Sequence, residues 1–205
     1  MYSMTTIDAM FEQRYGRKGT KFLENDGKVI HAIEGLMKRA NEKEARIIAA
    51  FMTGDIFHYN EKISRQVEKA SKDRRFLLVL SDYDKHDFSR YEKAGAEIFR
   101  LQIDEPELIF KSPIDPKLWE EAVVASDGNN YHELVYVYAH EIGKERIGRH
   151  SSDNESVKVI FENYRQNVAE PLYDQKVREA EACKSVRELH EFMDELGKEL
   201  EKQTH

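Results

Sequence analysis

Three apolar runs in this chain each end in a hydroxyl residue followed by aspartate: Thr53 with Asp55, Ser81 with Asp82 and Asp84, and Ser126 with Asp127. Carboxylates that converge at one end of a sheet can hold Mg²⁺, which takes oxygen ligands. Such an ion would orient water and neutralise phosphate charge. On that reading Asp55, Asp82, Asp84 and Asp127 make the chain a metal-dependent phosphoesterase or nucleotide hydrolase. The same residue types also favour turns and helix N-caps, and every strand needs a turn after it. The turn role is the expected one, so no metal or other cofactor is expected and Mg²⁺ stands as the alternative.

The histidines carry a different chemistry. His150 sits in Gly148-Arg149-His150-Ser151-Ser152, just before a helical stretch. A helix N-terminus attracts anions, so His150 and Ser151 could contact a phosphate with Arg149 assisting. Helix capping by the serines competes with that role. His132 and His140 are each followed by glutamate. Eight residues along one strand span about 26 Å at ~3.3 Å per residue, so the two cannot share a metal. His58 reads as a surface turn residue. The basic cluster Arg14, Arg17, Lys18 and Lys21 surrounds Gly16 and Gly19 but lacks the strand-first context of a phosphate-cradling loop. Cys183 has no histidine partner in sequence and reads as structural. The expected ligand pocket is Asp127, His132, His150, Ser151 and Asn154, acting through hydrogen bonds and anion contact.

Composition limits what these residues can be part of. The chain has 205 residues, with Lys+Arg 32 against Asp+Glu 39 and a formal net charge of -7. That balance argues against a general nucleic-acid binder, which needs a concentrated basic surface. One cysteine rules out an intramolecular disulfide framework and a Cys-rich zinc site. Mean hydropathy is -0.73, and no apolar run approaches the ~20 residues of a membrane span. The first fifteen residues, with Asp8 and Glu12, do not form a signal-peptide pattern. A cytoplasmic, globular protein is expected.

The elements that must position the site follow from periodicity. Met4, Ile7, Phe11 and Tyr15 recur at helical spacing, and a second helix is expected over about 26–42 with Val29, Ile33, Leu36 and Met37 on one face. Ile47–Met52, Phe76–Leu80 and Ala96–Leu101 read as buried strands, with helices around Ile63–Ala70 and Phe88–Ala94 between them. Strand, helix, strand, helix, strand predicts an α/β domain with a mostly parallel central sheet and covering helices. After Ile103, Pro106, Pro113 and Pro116 mark a loop. Ala122–Ala125 reads as a strand, 126–130 as a turn and Tyr131–His140 as its hairpin partner. Ser152 and Glu155 form a capping-box pattern ahead of a helix carrying Val157, Ile160 and Phe161, which Pro171 would bend or end. A last helix over about 185–202 has Val186, Leu189, Phe192, Leu196 and Leu200 on one stripe. The resulting organisation is an N-terminal helical segment over 1–44, an α/β domain over 45–174 and a C-terminal helix over 175–205.

From Ala45 to Asp174 this order of features resembles a phospholipase D-like domain. In that superfamily a strand, helix, strand and Gly-led strand precede a catalytic hairpin bearing His-x-Lys-x4-Asp, followed by a Gly-Ser-x-Asn-like segment before a helix. Glu120–Gly128 resembles the first motif in shape, and Gly148–Asn154 resembles the second. Counted back from Asp127, however, the lysine position is Ala122 and the histidine position is Glu120, and no His-x-Lys occurs in the chain. The family's histidine is the nucleophile that forms the covalent intermediate. The resemblance therefore implies a catalytically degenerate, non-catalytic binding or regulatory module for an anionic small molecule or a partner protein. The terminal helices could join two copies as a homodimer, or serve as the whole function in a pure interaction protein.

Overall fold

The computed structural model describes residues 20–81, 83–101, 119–139, 145–152 and 154–166. The chain divides into Met1–Asn163 and Tyr164–His205, and all described residues but 164–166 belong to the first unit. The expected helices over 4–15 and 185–202, the proline loop, Asp82, His140, Pro171, Cys183 and the side chains of Asn154 and Glu155 lie outside the described residues.

In chain order the elements are β1 (Thr20–Leu23), α1 (Asp26–Glu42), β2 (Arg46–Phe51), α2 (Asp55–Tyr59), α3 (Glu61–Lys72), β3 (Phe76–Ser81), α4 (Ser89–Ala94), β4 (Glu97–Leu101), β5 (Trp119–Ser126), β6 (His132–Ala139), β7 (Arg146–Ser151) and α5 (Asn154–Tyr164). Asn25 caps α1 by accepting from the Lys28 N–H at 3.0 Å. Asn60 caps α3 in the same way, accepting from Lys62 and Ile63 at 3.1 Å. Gly95 ends α4 at φ 106, a left-handed conformation that glycine adopts without strain.

One seven-stranded sheet runs in the order β1-β7-β6-β5-β2-β3-β4. It is mixed rather than mostly parallel. Only β2–β3 and β3–β4 are parallel, whereas β1–β7, β2–β5, β5–β6 and β6–β7 are antiparallel. The hairpin expected over β5 and β6 is present, but the expectation of a mostly parallel sheet took the β2-to-β4 rhythm as the larger part of the sheet. Beyond β4 the rhythm stops. The five residues 127–131 join β5 to β6, and 140–145 join β6 to β7. Connections this short cannot return a chain parallel to itself. Two strands are not among the expected elements: β7, in the stretch that leads to α5, and β1, which pairs with it.

Both sheet faces are buried, so the strands are near-continuous apolar runs. Val29, Ile33, Leu36, Met37 and Ala40 of α1 and Ile63, Val67 and Ala70 of α3 pack over Ile47, Ala49, Phe51, Leu78, Leu80, Val123, Val135 and Val137. The alternate residues Ile48, Ala50, Leu77, Val79, Val124, Leu134, Tyr136 and Tyr138 are buried on the opposite face. Each fully buried side chain of this size contributes about 1.5–3 kcal/mol. Among the described residues no helix is long and apolar enough to cross a membrane.

Candidate functional site

Register places the site. His150 on β7 lies opposite Val135 on β6 and Lys21 on β1. Val135 belongs to the core under α1, so His150 and Lys21 face the same helix. Glu133 is two residues from Val135 and shares its face, because side chains alternate along a strand. Helix α1 lies above and presents Lys28, His31, Ala32, Gly35 and Arg39 on one stripe. Together with Leu23 these residues enclose a cleft of about 350 Å³ lined by Lys21, Leu23, Lys28, His31, Ala32, Gly35, Arg39 and His150. None of these eight lining residues is acidic.

At its base Glu133, 2% exposed, gathers the polar groups. Arg39 donates Nε to Oε2 at 3.0 Å and Nη2 to Oε1. Tyr131 Oη donates to Oε2 at 2.6 Å, and His150 Nε2 meets Oε1 at 2.5 Å. Burial alone would raise the Glu133 pKa. The hydrogen bonds from His150, Arg39 and Tyr131 outweigh burial and hold it at about 2, against 4.5 for an ordinary glutamate. The same carboxylate raises the Arg39 pKa, mainly through their hydrogen bond. A buried, ionised glutamate thus fixes one arginine and one histidine of the cleft. Lys28 pairs with Glu24 one turn back, but both are half exposed, so the pair holds the lysine weakly.

Of the residues expected to form the pocket, His150 lines the cleft. Ser151, its neighbour, lies opposite Leu134 and Thr20 and is buried on the other face. His132 is also on that other face. Its Nδ1 meets Ser126 Oγ at 2.8 Å and its Nε2 the Asn129 carbonyl at 3.3 Å, which locks it into the β5–β6 turn. Asp127 Oδ1 accepts from the N–H groups of Asn129, Asn130 and Tyr131 at 2.8–3.0 Å; burial is the largest single effect on its pKa and raises it, but the three turn N–H groups together outweigh burial and lower it. The structure therefore does not join Asp127, His132 and Ser151 to His150 in one pocket.

The aspartates do not converge either. Because β5 is antiparallel to β2, with Ser126 opposite Arg46, Asp127 lies at the far end of the sheet from Asp55 and Asp84. The gap along β2 is on the order of 20 Å. Asp55 takes both carboxylate oxygens to Arg146 Nη2 at 2.8 Å. Asp84 is buried and accepts from the Gly54 N–H, the His86 N–H at 2.8 Å and His86 Nδ1 at 3.2 Å. Among the described residues no group of three or more His, Cys, Asp or Glu side chains is placed to hold a metal ion.

Arg146 organises a second buried cluster. Besides Asp55 it reaches Asp26 at 3.3 Å and Glu121 at 3.7 Å. Glu121 accepts from the Met52 N–H at 3.0 Å. Burial pushes its pKa up to about 7, with Arg146 and the Met52 N–H opposing. Of the three carboxylates that share the arginine, Glu121 is the most buried, and there burial outweighs the arginine.

Sequence reasoning missed Glu133, Arg39, Lys28 and His31. The signals were present. Glu133 is the one charged residue in an otherwise Tyr/Val-rich strand, and Gly35 interrupts a helix interior where glycine is unfavourable by about 1 kcal/mol.

The sequence matches no protein family and no curated protein. The fold is similar to the crystal structure of polyphosphate kinase from Porphyromonas gingivalis. The two are 10% identical over 80% of this chain and 28% of that chain, with a TM-score of 0.47. The present chain thus spans little more than a quarter of that protein's length.

Proposed function

We propose that this chain is a binding module for a small anionic molecule, with the cleft between α1, β1 and β7 as its site. The observation that carries the reading is the lining itself: Lys21, Lys28, His31, Arg39 and His150 with no acidic residue among them, on a chain whose net charge is negative. A basic concavity on an acidic protein draws anions to one place.

The module is phospholipase D-like in its order of elements. Strand β2, helix α3, strand β3 and Gly95-led strand β4 precede the hairpins, and the Gly148 strand precedes α5. The hairpins carry no His-x-Lys-x4-Asp. Counted from Glu120, the lysine and aspartate positions are Ala122 and Asp127. Counted from His132 on the strand that feeds β7, they are Leu134 and Ala139. His132 is also 3% exposed and bonded on both ring nitrogens, which leaves no lone pair free to attack phosphorus. The missing motif and the bonded His132 support a binding role over the family's chemistry.

A thermal-shift panel of phosphorylated and carboxylated metabolites, with and without divalent metal, tests this. An anion at about 100 times its Kd stabilises the native state by about 2.7 kcal/mol, a melting shift of roughly 5–10 °C for a chain of this size. The proposal expects such a shift without metal, and its loss in Lys28→Ala/His31→Ala. A shift that needs Mg²⁺ or Mn²⁺ and survives in that variant would overturn it.

A further inference from the structure

Away from the anion cleft, the parallel strands β2, β3 and β4 carry a second group of polar side chains beyond their carboxyl ends. Open α/β sheets have their ligand crevice at that edge. Tyr59 is the last residue of α2, which follows β2, and Asp84 and His86 follow β3. The Asp84 side chain is fully buried. Its carboxylate accepts from the Gly54 and His86 N–H groups, lies 3.6 Å from the Arg100 guanidinium and meets His86 Nδ1 at 3.2 Å. Across the imidazole ring, Nε2 lies 3.3 Å from Tyr59 Oη.

A carboxylate only accepts hydrogen bonds, so Nδ1 carries the ring proton and Nε2 keeps a lone pair for the phenol. Phenol, imidazole and carboxylate therefore stand in the order nucleophile, base and orienting group. The surroundings hold that order in place. Arg100 donates to the Asp84 and His86 carbonyls at 3.4 and 2.5 Å, which fixes the segment bearing both side chains. The His58 and Phe88 rings lie 4.8 and 6.2 Å from the His86 ring, and Asn60 begins the next helix directly after Tyr59 by capping it. The imidazole is 23% exposed, whereas Tyr59 is 74% exposed. A buried carboxylate is thus linked through one ring to a hydroxyl that a substrate can reach.

We propose that Tyr59 is a nucleophile activated by His86 and Asp84, and that it accepts the acyl group of an activated carboxylic ester of the aryl ester class. A tyrosine phenol ionises near about 10, so its oxygen displaces a phenolate of similar or lower basicity and not the far more basic alkoxide of an alkyl ester. Tyr59 Oη gives its proton to His86 Nε2 and bonds to the acyl carbon. The ester C–O bond breaks, and the leaving phenolate takes the proton from Nε2. Water, with His86 as base, then cleaves the acyl-tyrosine to a carboxylic acid and restores the Tyr59 hydroxyl. Asp84 is a positioning residue that holds the imidazole in the required tautomer. The site shares no residue with the anion cleft.

Reaction of the full chain with p-nitrophenyl acetate tests this, read as acetylation of the Tyr59 peptide by mass spectrometry across a pH series. The wild-type chain should release nitrophenolate and carry the acetyl group on Tyr59, and Tyr59→Phe should lose that adduct. His86→Asn keeps a donor for Asp84 but lacks the base. Its acylation rate at Tyr59 should be at least about 100-fold lower at pH 7. The rate should then climb with pH until the phenol itself ionises near about 10, where it should equal the wild-type rate. Asp84→Asn should show the same profile with a smaller loss at pH 7. Recovery at high pH distinguishes a lost base from a lost fold. No acetylation of Tyr59, acetyl groups on lysines alone, or an unchanged pH 7 rate in His86→Asn would overturn the proposal.

Discussion

Arg39 and Glu133, 94 residues apart in sequence, meet with Nε on Oε2 at 3.0 Å and Nη2 on Oε1. The pair joins α1 to β6 across the edge of the core and fixes the shape of the basic cleft. A two-point arginine–carboxylate contact sets direction as well as distance. The helix cannot rotate or slide along the sheet without breaking it.

The acid limb of stability depends on Glu133. Its folded pKa of about 2 lies below the ordinary 4.5. Its contribution is therefore fully present above pH ~4.5 and is lost as pH falls through about 2. At 1.36 kcal/mol per pKa unit the amount is on the order of 3 kcal/mol. Urea denaturation between pH 2 and 6 should show this limb in the wild-type chain and a shallower one in Glu133→Gln. The substitution should also cost about 2–3 kcal/mol at pH 7.

Glu121 acts with the opposite sign. Its folded pKa of about 7 lies above 4.5, so its contribution is fully present below pH ~4.5 and is lost as pH rises to about 7. Glu121→Gln should raise stability at pH 8 by about 1–3 kcal/mol and flatten the dependence between pH 4.5 and 7. The glutamine carbonyl can still accept from the Met52 N–H. A fall in the pH 8 denaturation midpoint would contradict this assignment.

Gly148 sits where β7 passes β6 closely. A Cβ there would come within 2.4 Å of the Tyr136 carbonyl oxygen and 3.2 Å of a Val29 methyl. The first neighbour is backbone and cannot step aside alone. Gly148→Ala should destabilise by about 1–3 kcal/mol, read as a lowered urea midpoint, and should weaken anion binding because His150 and Lys21 ride on the displaced strands.

Much of this architecture can be read from the residues. The runs Ile47–Met52 and Phe76–Leu80, and the stripe of Val29, Ile33, Leu36 and Met37, define two strands and a helix within a residue or two of their observed ends. Hydrophobic period is a local property. Strand direction is not: nothing local in Val123-Val124-Ala125 says that it runs against Ile47-Ile48-Ala49. That one reversal moved Asp127 to the opposite end of the sheet from Asp55 and dissolved the expected carboxylate cluster. The pocket failed for a similar reason. His150 and Ser151 are adjacent in sequence but face opposite sides of β7, a separation visible only once 146–151 is known to be a strand. His150 was legible because a histidine between glycine and serines stands out. Arg39 and Glu133 were not, because their meaning lies in a contact across 94 residues.

Binding in the cleft should also respond to salt. Lys21, Lys28 and His31 are exposed, so raising ionic strength from about 0.01 to 0.15 M shortens the screening length from ~30 to ~8 Å. Affinity for a phosphomonoester should fall several-fold over that range, measured by titration at fixed pH.

The most direct test of the anion cleft is calorimetric titration of ribose 5-phosphate into the wild-type chain and into Lys21→Ala/Lys28→Ala. The account predicts saturable binding without added metal in the wild type and at least about a tenfold loss in the variant, each lysine–phosphate contact being a charge-assisted hydrogen bond. Equal binding by the two proteins would place the anion elsewhere and contradict it.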